Sequence, residues 1–140
     1  MSSISSAIRV YPLRLTPNTD VFPAIRTLIN KNGLRSVFIM MCVGSVKAGR
    51  LRMANTTDTV DLTTEHEIVS LVGTIDSEGA HIHGSFSDRT GRVIGGHVVH
   101  THPMIVYTTV EIMLAECEDV VFTREMCHES GYPELVINKK

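Results

Sequence analysis

Histidine is the residue type best placed to do chemistry in this 140-residue chain. Seven occur, and three fall in one short stretch, HIHGSFSDRTGRVIGGHVV at 81–99. In an extended strand His81, His83, Ser85 and Ser87 leave one face while Ile82 and Phe86 leave the other. DRTGR at 88–92 reads as a hairpin connection, with Gly91 at the left-handed position of a type I turn closed by a G1 bulge. Pairing Ser87 with Val93 sets the register, so that His83 lies opposite His97 and His81 lies diagonal to it. Opposed Cβ atoms sit about 4.5–5.5 Å apart and diagonal ones about 7–8 Å. Three imidazoles at that spacing can meet on one divalent ion with bonds of about 2.0–2.1 Å. Gly95 and Gly96 add no bulk beside the cluster, and Gly84 adds none on the opposite face. An HxH pair alone is a common surface feature, and an even-length loop would turn His97 to the other face. The third histidine in register is what singles this hairpin out.

Three neutral imidazoles with no cysteine placed beside them leave one tetrahedral position open, the pattern of a catalytic rather than a structural zinc site. Imidazole ligation does not by itself choose among zinc, iron, manganese and copper; zinc is placed first, with another divalent transition metal as the alternative. Glu67 and Glu111 interrupt strands that otherwise look buried. Each could orient a histidine, transfer a proton or pair with an arginine across a subunit contact, the last being the default. His100 and His102 read as loop histidines, an outer shell or a substitute ligand being the alternatives, and His66 and His128 as exposed. GxSxG, GxxxxGK[ST] and GxGxxG are all missing, and the methionines read as core filler.

The elements that must position these residues are mostly strands. One helix is predicted over Asp20–Asn32, with Asp20 as N-cap, Val21, Phe22, Ile25, Leu28 and Ile29 on its apolar side, and Gly33 closing it. Ala7–Leu15 reads as a first strand. After it come Ser36–Val46, Arg50–Ala54, Thr59–Leu62, Glu67–Ile75, His81–Ser87, Val93–Val99, Ile105–Leu114, Val120–Arg124 and Glu134–Ile137. The class is therefore α+β with a largely antiparallel sheet and one main amphipathic helix. Residues 1–6 are expected to be disordered and 7–138 to form a single domain.

Two strands read as apolar on both faces. Val69, Leu71 and Ile75 oppose Ile68 and Val72; Val106, Val110, Ile112 and Leu114 oppose Ile105, Tyr107 and Met113. One helix cannot cover so much sheet, so either the sheet folds over or a neighbouring subunit covers it.

Composition narrows the function classes. Hydrophobic residues are 43% and charged residues 20%, which excludes a disordered chain. A formal charge of −2 argues against a broad basic face for nucleic acid. No tract approaches a membrane span, and MSSISS lacks the features of a secretory signal. Three cysteines without a CxxC pair fit reduced thiols, so an intracellular, cytoplasmic protein is expected, the nucleus not being excluded.

GSVKAGRLRMAN at 44–55, EIVSLVGTI at 67–75, the 81–99 hairpin with its GGH ending, VYTTVEIML at 106–114 and GYPELVI at 131–137 together resemble the PPC (plants and prokaryotes conserved) domain, over about residues 7–137. That resemblance implies a homotrimer with a fold similar to acetolactate decarboxylase, a three-histidine zinc enzyme. In plant members the domain follows AT-hooks and acts in the nucleus as a DNA-binding regulator that mediates partner contacts. This chain carries no Arg-Gly-Arg-Pro AT-hook, and its His81, His83 and His97 look like the prokaryotic type. Two functions are therefore expected to compete. One is a metal-dependent hydrolase or lyase acting on a small molecule, with Glu67 or Glu111 as the proton-transfer group. The other is a DNA-binding, transcription-associated trimerisation and protein-interaction module. A stable trimer holding a structural or adventitious metal is a third reading.

Overall fold

The structure is a computed structural model that describes residues 3–140. The expected disorder over 1–6 falls partly on residues 1–2, which lie outside the described residues. Ser6 is tied to the body: its hydroxyl accepts the Asp119 amide at 3.0 Å, and the Ala7 amide donates to Asp119 Oδ2 at 2.8 Å.

Among the described residues, nine strands and one helix follow in the order β1 (Ile8–Leu15), α1 (Val21–Asn32), β2 (Val37–Arg52), β3 (Thr59–Leu62), β4 (His66–Ile75), β5 (Ala80–Ser87), β6 (Val93–Val98), β7 (Ile105–Cys117), β8 (Val120–Met126) and β9 (Pro133–Lys139). The class is α+β and the strand pairings are antiparallel. No helix among the described residues is long and apolar enough to cross a membrane.

The helix buries Val21, Phe22, Ile25 and Ile29, which recur at helical spacing on one side. Gly33 at φ 63° ends it, donating to the Asn30 carbonyl while the Leu34 amide reaches back to Ile29. Asp20 occupies the N-cap position but makes no side-chain cap to its own helix. Its Oδ1 accepts the Met104 amide at 3.2 Å, tying α1 to the segment before β7.

The two strands read from sequence at 36–46 and 50–54 are one 16-residue strand, β2. The Gly-Ser pair at 44–45 does not end it. A Cβ on Gly44 would stand 2.1 Å from the Thr109 carbonyl oxygen, so glycine lets β7 pass close and the strand continue. Val37–Ala48 of β2 pairs with β7 and, at Val37–Phe38 and Ser45–Val46, with β4; its far end pairs with β3 and also with β6, through Leu51–Val98 and Arg52–His97. The path β1-β7-β2-β4-β5-β6 thus folds back on β2. That fold-over was one of the two covers the apolar strands demanded.

The inner face is closed by α1 and by the sheet's own curl, with Ile82, Phe86, Val98, Val110, Ile112 and Leu114 at 0% exposure. The outer face keeps Met41 at 41%, Val43 at 47% and Val72 at 54%. A register shift between Ile68 and Ser70 corrects the parity read for β4. Ile68 joins Leu71 and Ile75 in the core, whereas Val69, at the bulge, is exposed. One extra residue flips the alternation. Glu67 and Glu111 sit on strands with buried neighbours, as read, but both are exposed because they fall on the outer face. His128 is exposed as expected, while His66 is half-buried, its Nδ1 2.8 Å from the Thr64 carbonyl oxygen.

Candidate metal centre

The β5–β6 turn is organised by one carboxylate. Asp88 Oδ1 accepts the Thr90 amide at 2.8 Å, the Thr90 hydroxyl at 2.7 Å and the Arg92 amide at 3.0 Å. These bonds, led by the Thr90 hydroxyl, hold the Asp88 pKa below its ordinary value. Gly91 at φ 83° turns the chain, and the Asp88 amide donates to the Arg92 carbonyl at 2.9 Å. Ser87 then pairs with Val93 and His83 with His97, the register read from the sequence. On the other side β4 sets Thr74 against His81 and Val72 against His83. Gly73 makes that approach possible, since a Cβ there would lie 2.1 Å from the His81 carbonyl oxygen.

The hairpin gathers the three imidazoles. Ring centroids are 4.9 Å apart for His81–His83, 5.5 Å for His81–His97 and 5.8 Å for His83–His97. One ring nitrogen from each lies within 4.8 Å of the others. The Nε2 atoms of His81 and His83 are 3.2 Å apart. A tetrahedral ion with bonds of about 2.05 Å has ligand atoms about 3.3 Å apart, so this pair already spans one tetrahedral edge. The donor set therefore fits a metal. Burial first, then the neighbouring His83 charge, lowers the His81 pKa; burial first, then Arg52, lowers that of His97. Both shifts favour the neutral ring, the form whose lone pair can ligate.

His81 and His97 border a cleft of about 980 Å³. Arg52 and the Asn55–Thr57 loop line it, together with Arg124, Tyr132 and Glu134 from the β8–β9 hairpin. Arg124 fastens the ribbon to the sheet, with Nε 3.0 Å from Asp76 Oδ2 and Nη2 2.8 Å from Thr74 Oγ1. Burial alone would raise the pKa of Asp76, which is 3% exposed. Hydrogen bonds from Arg124 and from the Glu78 and Gly79 amides more than offset this and hold it below the ordinary value. His100 also lines the cleft, edge-on to Phe22 at 6.3 Å, and its pKa is lowered by burial and then by Arg26.

The two sequence-selected carboxylates lie elsewhere in the single chain. Glu67 faces Ser87, four residues and about 13 Å along the strand direction from His83. Glu111 is on β7, three strands from β5 and about 14 Å across the sheet. Ser85, on the histidine face, is bonded to Ser70 at 2.6 Å. Arg52, Arg124 and Glu134 were missed because they reach the cleft only through long-range packing. The one local hint was that β2 ends in a basic alternation, Arg50-Leu51-Arg52.

A curled antiparallel sheet with one covering helix and an open three-histidine face defines an α+β domain equipped to hold a metal. The chain belongs to the Plants and Prokaryotes Conserved (PCC) domain family, whose profile matches residues 2–118. The ribbon β8–β9 lies beyond that match. A hypothetical protein from Salmonella enterica is 37% identical, with TM-score 0.92 and 98% of each chain covered. A metal-containing protein from Archaeoglobus fulgidus shares the fold at 19% identity, TM-score 0.82, covering 97% of this chain and 99% of that one. A candidate DNA-binding protein from Bacteroides thetaiotaomicron shares it at 19% identity, TM-score 0.76, covering 95% and 98%. The bifunctional protein GlmU of Synechococcus sp. strain JA-3-3Ab is 35% identical over 135 residues, or 96% of this chain. The chain spans only 21% of that relative's length.

Proposed function

We propose that His81, His83 and His97 hold a divalent transition metal, zinc before others, and that the chain acts as a homotrimeric metal-dependent hydrolase or lyase on a small molecule. The observation that supports this reading is the convergence of three imidazoles, two of which, His81 and His97, border a cleft large enough for a small substrate. When bound, such an ion supplies Lewis acidity and lowers the pKa of a coordinated water.

The chain's own residues supply the rest. His81, His83 and His97 offer the ligand nitrogens from a rigid hairpin. The Arg124–Asp76 pair fixes the ribbon wall over them. Of the carboxylates that line the cleft, Asp76 is committed to Arg124, while Glu134, whose charge favours protonated His81, is the one assigned to carry a proton. Glu67 and Glu111 serve that role only where the outer faces of neighbouring subunits meet and a second copy brings one of them to the histidines. The exposed apolar side chains of that face, Met41, Val43 and Val72 among them, support the trimer.

The second reading is a DNA-associated trimerisation and interaction module, as in the plant members. It is supported by the likeness to the candidate DNA-binding protein of Bacteroides and opposed by the charge of −2. Two measurements decide. Metal analysis of freshly purified protein should find about one zinc or related ion per chain, lost in His83→Ala. Retention on an AT-rich duplex at low salt should be absent; tight, salt-sensitive retention would favour the module.

A further inference from the structure

We infer that the cleft receives its substrate through an oxyanion group, carboxylate or phosphate, and that Arg52 is the residue that grips it. The inference deepens the proposed enzyme reading and rests on it for the role of the histidines, though the anion site can be tested separately.

Arg52 ends β2, where the sheet closes on itself, and its backbone partner across β6 is His97. It is half-buried, and it lines the cleft together with His81 and His97. Its guanidinium is scarcely used. Nη1 makes two long bonds, to the Met53 and Thr56 carbonyl oxygens, each 3.3 Å. Nε and Nη2 make none among the described residues, and no carboxylate pairs with it there.

The other arginines nearby show what a committed one looks like. Arg50, two residues earlier, is bidentate to Asp61 at 2.7 and 3.0 Å. Arg124, across the cleft, is held by Asp76 and Thr74. A half-buried cation with an open Nε–Nη2 edge is costly to leave alone, and that edge matches the two oxygens of a carboxylate or phosphate. Of the other charged groups in the lining, Asp76 is paired with Arg124, and Glu78 and Glu134 repel an anion, so the uncommitted Arg52 guanidinium is the lining group that favours one. The substrate class is a small molecule carrying an oxyanion next to the carbonyl or hydroxyl that reacts.

The test titrates zinc-loaded protein calorimetrically with lactate, with lactamide as its neutral counterpart, and with inorganic phosphate. Lactate should bind about ten-fold or more tightly than lactamide, and Arg52→Gln should lose about that factor for the anions with zinc content unchanged. Whichever of lactate and phosphate binds the wild type more tightly names the oxyanion. Unaltered anion affinity in Arg52→Gln, or no anion binding by the wild type, overturns the proposal. Salt supplies a check that needs no variant, since anion binding should weaken as sodium chloride rises and salt-independent binding also overturns it. Arg52-dependent anion binding by a protein that retains no zinc keeps the oxyanion site and removes the metal reading. Zinc retained without Arg52 dependence does the reverse.

Discussion

The two faces of the curled sheet are built from the same strands and used in opposite ways. On the inner face Ile82, Phe86, Val98 and Ile112 interdigitate beneath α1 with no exposure. On the outer face the very next residues are His81 and His83, which stand open beside Val72, and His97, which is half-buried. The alternation of a strand therefore separates two roles by one residue: the inner side supplies stability, and the outer side carries the proposed metal site and the proposed subunit contact. Because each outer residue hangs on an inner neighbour, the site is only as rigid as the core under it.

Substitutions can break that division in order of size. Phe86→Ala empties a fully buried ring site and should cost about 3–5 kcal/mol in urea unfolding, with the metal site lost only as the chain unfolds. His83→Ala should leave metal-free stability nearly unchanged but abolish the gain from added zinc. That gain should be about 2.7 kcal/mol in the wild type at a hundred-fold excess over Kd, read from melting curves. A His83→Ala protein as unstable as Phe86→Ala would show that the two faces are not separable. Met41→Glu tests the proposed trimer: it should leave a folded subunit that sediments as a monomer where the wild type sediments as a trimer, because the charge falls on the exposed apolar outer face.

The mildest effect is acid sensitivity. His100 has a pKa below its ordinary 6.5, so its neutral form is favoured in the folded state. Its contribution is complete above 6.5 and declines as pH falls from there toward the lowered folded value. Asp76 is lowered below 3.8, so its contribution is complete above 3.8 and is lost as pH falls through the still lower folded value. Unfolding monitored against pH should thus show a shallow decline below about 6.5 and a steeper one below about 3.8. A flat profile between those points would mean that burial does not oppose charge on His100.

Local features were readable where the residues that decide them are neighbours. DRTGR specifies its own turn, that turn sets the register, and the register sets His83 against His97. The helix was equally plain, from a 3.6-residue recurrence between Asp20 and Gly33. The Val69 bulge was not readable, because what permits it is pairing with β5 rather than anything in EIVSLVGTI. Nor was the unity of β2, since Gly44 and Ser45 look like a stop until β7 is seen lying against them.

The chain's order of residues alone thus determined the histidine cluster, because a hairpin of short loop closure brings its members together by local geometry. The tertiary structure decided what surrounds it. Arg52 arrives only when the sheet folds back on β2, and Arg124 and Glu134 only when a separate ribbon docks through Asp76 and Thr74. Those contacts join residues about 45–50 positions apart, whose meeting depends on the packing of the whole domain and leaves no periodic trace in any one segment.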